Sequence, residues 1–198
     1  MRAIIVLAGG RSSRFGRDKA LIGFSGRPLL SHVIERLQGL GDEYVVSGGR
    51  NHAIESYRRI LPGNTRIIPD TVDFQGPLAG FISGLDECKS NLCFLTACDM
   101  PFVERKVVEY LFEQAVNYSA AVPRWRDGRL EPLHAVYDCE AARRAARQAI
   151  DDQASSMIGL VDHIAGVRFV SVEDEISTLN PKLETFRNLN TPRDLGED

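Results

Sequence analysis

Short apolar runs recur along the chain, and several are rich in β-branched residues. They cover residues 3–7, 44–47, 66–68, 92–96 and 120–123. Runs of this length without polar alternation indicate strands that are buried on both faces, as in a parallel sheet. We therefore predict that these segments form the inner strands of one sheet.

Patterns with helical spacing separate these runs. The clearest helix begins near Pro28, a favoured first-turn residue, and its apolar face carries Leu29, Leu30, Val33, Ile34, Leu37 and Leu40. Further helices are predicted over residues 53–60, 78–88 and 103–116. Strands that alternate with helices predict an α/β fold with a mostly parallel sheet and helices on both faces. In such sheets, ligands bind at the carboxyl ends of the strands near the topological switch point.

The second half of the chain is less regular. Asp127-Gly128 predicts a hairpin turn between residues 123–126 and 129–137. Helices are predicted over 139–150 and 155–163 and a strand over 167–172, whereas the polar stretch 173–184 is predicted to be a loop. The sequence shows neither an internal repeat nor a linker, so we expect one domain over residues 1–198.

The composition of the chain argues against several classes of function. The net charge is −3, which argues against nucleic acid or an anionic membrane as a partner. The four cysteines form no CxxC pair and the four histidines are scattered, so no zinc pattern arises and free buried thiols are expected. Apolar stretches stay well short of the roughly 18 residues of a membrane span. A soluble, cytoplasmic protein is the expectation.

A positively charged, glycine-containing loop follows the first predicted strand. Residues 11–19 hold four cations and one anion, so this loop carries +3 and the rest of the chain −6. Such a loop can bring backbone N–H groups against phosphate, which suggests a small anionic ligand. The spacing fits neither the P-loop, because five residues separate Gly10 and Gly16, nor the GxGxxG fingerprint. The alternative is a strand–turn with solvated arginines.

Residues 7–21 read LAGGRSSRFGRDKAL and resemble the signature LAGGxSxRMGxDKxL of the molybdenum cofactor guanylyltransferases. This family lies within a larger group of nucleotidyltransferases that have a Rossmann-like fold. Further segments resemble family motifs in the family's order: GRPL at 26–29, IPD at 68–70, GPLAG at 76–80, CDMP at 98–101 and NLNTP at 188–192. The resemblance therefore extends along nearly the whole chain.

The resemblance implies a reaction of GTP with molybdenum-bound molybdopterin, which yields the guanine dinucleotide cofactor and pyrophosphate. The acceptor's phosphate would attack the α-phosphorus of GTP, with Mg²⁺ as the cofactor. Positioning and charge neutralisation would supply most of the catalysis. The N-terminal half would bind the nucleotide and the C-terminal half the acceptor. Hand-over of the labile product to a molybdoenzyme or to another protein of cofactor synthesis is compatible with this reaction.

By the same resemblance, the loop after the first strand would hold the nucleotide. The turn itself would consist of Leu7, Ala8, Gly9 and Gly10. Side chains would collide with the nucleotide where the backbone approaches it, which explains the glycines. Arg14 and Lys19 would contact the triphosphate as catalytic residues. For Arg11 and Arg17, a solvated surface position is an equal alternative.

Two aspartates follow predicted strands. The resemblance makes Asp99 the Mg²⁺ ligand and a catalytic and nucleotide-binding residue, because Mg²⁺ uses one or two carboxylates together with substrate oxygens. The alternative is that Asp99 caps the helix after Pro101. Asp70 would bind the nucleotide near its base or ribose, or would only initiate a turn with Thr71. We expect Lys19 and Asp99 to share one cavity.

The remaining candidates concern the acceptor. Asn190 would orient a water on Mg²⁺ or contact the acceptor, and its alternative is a turn before proline. Gly76 and Pro77 would shape the base or acceptor side of the cleft and are assigned to the acceptor, or would only start a helix. Residues of the second half also lie where the pterin would sit: Arg124, Trp125, Arg126, Arg129, Glu131 and His134. The single tryptophan would stack on the pterin or serve only in packing.

The sequence leaves alternatives open for the base of the nucleotide and for the class of function. Related cytidylyltransferases tend to have LAAG where this chain has LAGG, so Gly9-Gly10 favours guanine over cytosine. Another nucleotidyltransferase with a small phosphate acceptor is a second alternative. A non-catalytic adaptor that binds nucleotide is a third, against which stands the presence of both Lys19 and Asp99.

Overall fold

The computed structural model describes residues 1–8, 18–48, 54–69, 76–154, 156–191 and 194. Its strands are β1 (Arg2–Leu7), β2 (Gly23–Phe24), β3 (Arg27–Pro28), β4 (Glu43–Ser47), β5 (Thr65–Ile68), β6 (Leu92–Ala97), β7 (Ala120–Arg124), β8 (Ala135–Asp138) and β9 (Val167–Ser171). Its α-helices are α1 (Leu29–Leu37), α2 (Ile54–Arg58), α3 (Pro77–Glu87), α4 (Arg105–Gln114), α5 (Cys139–Asp151), α6 (Met157–Asp162) and α7 (Ser177–Leu179). Two 3-10 helices, Lys19–Leu21 and Glu184–Phe186, and a π-helical turn, Val172–Ile176, complete the described elements.

Seven strands form one sheet in the order β5-β4-β1-β6-β8-β7-β9, and β8 runs antiparallel to both of its neighbours. The other strand pairs of the sheet are parallel. The chain builds outward from β1 to β4 and β5, and then returns to place β6 on the other side of β1. This reversal is a topological switch point, so a crevice is expected at the carboxyl ends of β1 and β6. The predicted mostly parallel α/β fold is confirmed.

The side chains of β1 alternate between two hydrophobic cores, one on each face of the sheet. Ile4 and Val6 join the core that α1, α2 and α4 cover, whereas Ala3, Ile5 and Leu7 join the core under α3, α5 and α6. Helix α3 packs tightly on β1, because a Cβ at Gly84 would lie 2.7 Å from Cγ2 of Ile5. The predicted helices on both faces are therefore present.

The predicted loop at 173–184 is wrong, because this segment contains part of the π-helical turn Val172–Ile176 and all of α7. Its polar residues have fixed partners. The Glu175 carboxylate accepts hydrogen bonds from the hydroxyl of Tyr110, from Arg168 and from the backbone N–H of Ser171. These contacts hold the pKa of Glu175 below its usual value, although burial opposes this shift.

The predicted hairpin around Asp127-Gly128 is only partly right. The turn exists, with Gly128 at φ +89° and its N–H bonded to the carbonyl of Trp125. The second strand, however, is confined to Ala135–Asp138, since residues 131–134 contain a loop. Beside the turn the two arms are paired as predicted, since the N–H of Trp125 donates to the carbonyl of Arg129 and that of Glu131 to the carbonyl of Pro123. The strands β7 and β8 themselves pair further away, at Ala120–Ala121 opposite Val136–Tyr137.

All four cysteines are buried free thiols, as expected. Across the described parts of the chain, no group of three or more histidine, cysteine, aspartate or glutamate side chains is placed to hold a metal ion. None of the helices in the described part of the chain has the length and apolar character needed to cross a membrane.

Candidate active site

Lys19 joins three segments that are far apart in sequence. Its ammonium donates to Oδ2 of Asp99 at 2.8 Å and to Oδ1 of Asn190 at 2.7 Å. The side chains of Lys19 and Asp99 are 19% and 21% exposed, so this ion pair is only partly open to solvent. Three residues from three separate sequence motifs thus meet at one point of the fold.

Asp99 lies at the crevice formed by the switch point of the sheet. The N–H of Cys98 donates to the carbonyl of Leu7 at 2.9 Å, and that of Ala8 donates to the carbonyl of Ser47 at 2.8 Å. The ends of the central strands therefore stay in register up to the residue before Asp99. The alternative role of Asp99 as a helix cap is wrong, because α4 starts at Arg105 and Glu104 is its N-cap.

Asn190 is held in place by its neighbours in the chain. The N–H of Leu189 donates to the carbonyl of Asp99 at 2.9 Å, and the Leu189 side chain is buried in a small cluster with Ile22 and Leu29. The carboxylate of Asp194 accepts from the backbone N–H groups of Asn190 and Thr191 at 2.8 and 2.7 Å, and these bonds lower the pKa of Asp194. Asp194 stabilises this turn, so the Asn190 amide is available to contact Lys19.

Sequence reasoning missed Asp18 and Tyr57, which position Lys19. One oxygen of the Asp18 carboxylate caps the 3-10 helix by accepting from the N–H of Ala20 at 3.0 Å. Its other oxygen lies 2.7 Å from the hydroxyl of Tyr57, which is also 3.3 Å from the carbonyl oxygen of Ala8. The buried Tyr57 thereby links the start of the lysine helix to the end of β1.

Gly48 makes room for the tyrosine ring, because a Cβ there would lie 2.8 Å from Cε2 of Tyr57. Asp18 could have been found from its place beside Lys19 in the motif. Tyr57 carries no such signal, since it lies 49 residues from Ala8 in sequence and reads as an ordinary core position of a short helix.

We expect Tyr57→Phe to weaken binding of the nucleotide that the motif resemblance implies about 2- to 10-fold, because a hydrogen bond of this kind contributes roughly 0.5–1.5 kcal/mol. Without the hydroxyl, Asp18 loses one partner and Lys19 is held less firmly. Titration calorimetry with GTP measures the change, and Tyr118→Phe, at an exposed tyrosine, is the matched control. An unchanged dissociation constant for Tyr57→Phe would contradict this positioning role.

Other predicted site residues can be placed only in part. Leu7 is the last residue of β1 and Ala8 follows it, and both side chains are buried. Their role in a nucleotide-binding turn stays a prediction. Gly76 is the N-cap of α3 and Pro77 its first residue, which confirms the helix start and leaves their acceptor role a prediction. Four predicted site residues lie outside the described part of the chain: Gly9, Gly10, Arg14 and Asp70. Arg11 and Arg17 do so too.

The donor set around Lys19 fits a hard divalent cation. A carboxylate oxygen of Asp99 and an amide oxygen of Asn190 both contact the same ammonium nitrogen, so they converge on one position that favours positive charge. Mg²⁺ is typically held by one or two carboxylates together with waters and substrate phosphates. A single aspartate with an amide oxygen beside it is compatible with this coordination preference.

The predicted acceptor residues around Trp125 fall into two groups, those that contact other elements and those that contact Trp125 itself. The guanidinium of Arg124 stacks on Phe169 at 4.6 Å from the ring centroid, and Arg126 pairs with Asp174 at 2.6 Å, so both are engaged with other elements. Arg129 instead stacks on Trp125, and Glu131 accepts a hydrogen bond from the indole N–H of Trp125 at 2.7 Å.

His134 is fully buried, and burial lowers its pKa to about 3. It is therefore neutral near pH 7. Its Nε2 lies 2.9 Å from the hydroxyl of Thr185, and its ring packs edge-on against Phe94 and Phe186. These contacts make His134 a structural support for the neighbouring aromatic side chains.

A lysine and an aspartate at the carboxyl ends of the central strands of a mostly parallel sheet are features of a nucleotide-binding α/β protein. The profile described as the MobA-like NTP transferase domain matches residues 4–164. The chain belongs to this family of nucleotidyltransferases.

Relatives named for molybdenum cofactor synthesis resemble the chain over most of its length. A protein of Methanosarcina mazei named "Probable molybdenum cofactor guanylyltransferase" is 38% identical over 98% of this chain and 88% of its own. A Pseudomonas putida protein named "Molybdenum cofactor guanylyltransferase" is 39% identical over 68% of this chain and 69% of its own. The crystal structure of molybdopterin-guanine dinucleotide biosynthesis protein A from Archaeoglobus fulgidus is 25% identical, covers 99% and 95% of the two chains, and superposes with a TM-score of 0.82.

Proposed function

We propose that the protein transfers GMP from GTP to molybdenum-bound molybdopterin and releases pyrophosphate. The observation that carries this proposal is the convergence of Lys19, Asp99 and Asn190 at the switch point of the sheet. The guanylyltransferase names of relatives that align over nearly the whole chain support the choice of donor and acceptor. We also propose that the reaction takes place in the cytoplasm and that the labile product is passed to another protein.

In the proposed reaction, a phosphate oxygen of the acceptor forms a bond to the α-phosphorus of GTP. The bond from that phosphorus to the oxygen bridging to the β-phosphate breaks, and pyrophosphate leaves with the electron pair. Negative charge increases on the leaving group and on the non-bridging oxygens, so nearby cations lower the barrier. Lys19 supplies such a charge from its 3-10 helix, and its position is fixed by Asp18 and Tyr57.

In the structure, the Lys19 ammonium donates to the oxygens of Asp99 and Asn190. We propose that it turns toward the triphosphate when nucleotide binds, which its flexible four-carbon stem allows. The oxygens of Asp99 and Asn190 then become available to hold Mg²⁺, directly or through water. When bound, Mg²⁺ would neutralise phosphate charge and align the reacting groups.

A pyrophosphate-release assay tests the proposed function. Purified protein with Mg²⁺, molybdenum-bound molybdopterin and GTP should release pyrophosphate, and CTP should substitute poorly. A preference for CTP would replace the proposed donor by the cytidine nucleotide. If GTP binds while neither nucleotide supports release, the protein is a non-catalytic adaptor and the proposal is wrong.

A further inference from the structure

Phe102 connects the segments that carry the three residues of the candidate active site. It lies in the turn between β6 and α4, three residues after Asp99, and its side chain is partly buried. Its ring meets the ring of Phe24 nearly at a right angle, with the centroids 5.7 Å apart and an interplanar angle of 85°. The guanidinium of Arg187 stacks over the same ring at 5.1 Å from its centroid. Three distant parts of the chain therefore meet at this ring.

The two partners of Phe102 belong to the segments of Lys19 and Asn190. Phe24 is in the short strand β2, which follows the 3-10 helix of Lys19, and Arg187 lies three residues before Asn190. Phe24 and Phe102 pack against a small buried cluster whose members come from the same two segments: Ile22, Leu29 and Leu189. The segments are therefore joined by apolar contacts as well as by the polar contacts of Lys19.

Phe24 is fixed from the side of α1. The Nε2 of His32 donates to the carbonyl of Phe24 at 2.6 Å, and the two rings pack edge to face with centroids 5.5 Å apart. The N–H of Leu29 donates to the carbonyl of Ile22 at 2.9 Å, which closes the hairpin of β2 and β3 onto the start of this helix. The Phe24 ring is therefore held where it can set the position of Phe102.

In the proposed function, nucleotide binding removes polar contacts between these segments. Lys19 then turns to the triphosphate, so its bonds to Asp99 and Asn190 cannot hold the site together in the bound state. The contacts of Phe102 use none of those groups, and burial of apolar surface does not depend on which charges are paired. The ring contacts can therefore keep the spacing of Lys19 and Asp99 after the ion pair opens.

We propose that Phe102 is a positioning residue for the transfer reaction. Through its contacts with Phe24 and Arg187, it keeps the Asp99 loop at the distance from Lys19 at which carboxylate, metal and triphosphate act together. Misplacement of a reacting group by about 1 Å can lower a rate by up to roughly 10²-fold. This inference rests on the proposed function, because it concerns the geometry of that reaction's site.

Phe102→Ala is expected to lower kcat for pyrophosphate release by about 10-fold, because Asp99 loses its fixed distance from Lys19. GTP affinity measured by calorimetry without Mg²⁺ should stay within about threefold of wild type, since Asp18 and Tyr57 still hold Lys19. Added Mg²⁺ should raise the GTP affinity of the variant less than that of wild type. A merely structural loss would instead weaken GTP binding with and without Mg²⁺ alike.

Phe169→Ala is the matched control. Phe169 is also partly buried, and the guanidinium of Arg124 stacks over its ring at 4.6 Å, but it lies on the edge strand β9. Both alanine variants should lose a similar amount of thermal stability, whereas Phe169→Ala should keep the kcat and the Mg²⁺ response of wild type. Phe102→Leu, which keeps apolar cover for the cluster, should recover most of the lost rate.

Several outcomes would overturn this role. These are equal kcat in Phe102→Ala and Phe169→Ala, an undiminished effect of Mg²⁺ on GTP binding in Phe102→Ala, or a rate for Phe102→Leu no better than that of Phe102→Ala. If Phe102→Ala does not fold, Phe24→Ala removes the same ring contact from its other partner, and unchanged kcat there would refute the role. Absence of pyrophosphate release by the wild type would refute the proposed function, and the Mg²⁺ effect on GTP binding would still test Phe102.

Discussion

Asp99→Asn is expected to lower kcat for pyrophosphate release by at least about 10²-fold, the scale seen when one group that stabilises the transition state is lost. The amide has nearly the same shape as the carboxylate and can still accept from Lys19. It lacks the negative charge through which the single carboxylate of the site would attract a divalent ion. We therefore expect the folded structure to persist while turnover is lost.

Steady-state rates at saturating GTP measure this effect, and circular dichroism checks the fold. Asp151→Asn is the matched control, because Asp151 is exposed at the last position of α5. Higher Mg²⁺ concentrations should restore part of the rate if the defect lies in metal binding. Activity of Asp99→Asn within about threefold of wild type would remove Asp99 from the reaction.

Lys19→Ala is expected to weaken GTP binding about 10- to 100-fold, equivalent to roughly 1.5–3 kcal/mol for charged hydrogen bonds. The variant loses the ammonium that we place on the triphosphate. Asp99 and Asn190 also lose the group that occupies the position between them. The value of kcat should fall as well, because charge on the leaving pyrophosphate is no longer neutralised.

Titration calorimetry with GTP and with guanosine separates this role from a structural one. Guanosine has no phosphates, so Lys19→Ala should bind it as the wild type does. Lys106→Ala, at an exposed lysine of α4, is the control for removing a positive charge. Equal GTP affinity in Lys19→Ala and in wild type would show that the Lys19 ammonium does not contact the triphosphate.

The inner strands and most helices follow from local pattern. A run such as Ile4–Leu7 is buried on both faces, so it has few polar positions and is easily recognised. The segment 173–184 could not be predicted in this way. Its turn depends on Glu175, which is anchored by Tyr110, 65 residues away. Such partners leave no periodic signal in the sequence.

The residues of the candidate site likewise include some that the sequence predicts and some that it does not. Motif resemblance singled out Lys19, Asp99 and Asn190, and the fold brings them together across separations of up to 171 residues. Tyr57 lacked a motif and was missed. Near Trp125, residue type and sequence position could not show that Arg126 and Arg129 have different partners. Only the fold turns Arg126 toward Asp174 and Arg129 toward the ring of Trp125.

A crystal structure with Mn²⁺ and a GTP analogue that resists cleavage at the α-phosphorus tests the central claim most directly. The account predicts an anomalous peak about 2.0–2.2 Å from a carboxylate oxygen of Asp99, near the coordination distance of Mg²⁺. It also predicts the Lys19 ammonium within hydrogen-bond distance of the phosphates. A triphosphate bound elsewhere, with the Lys19–Asp99 pair still intact, would contradict it.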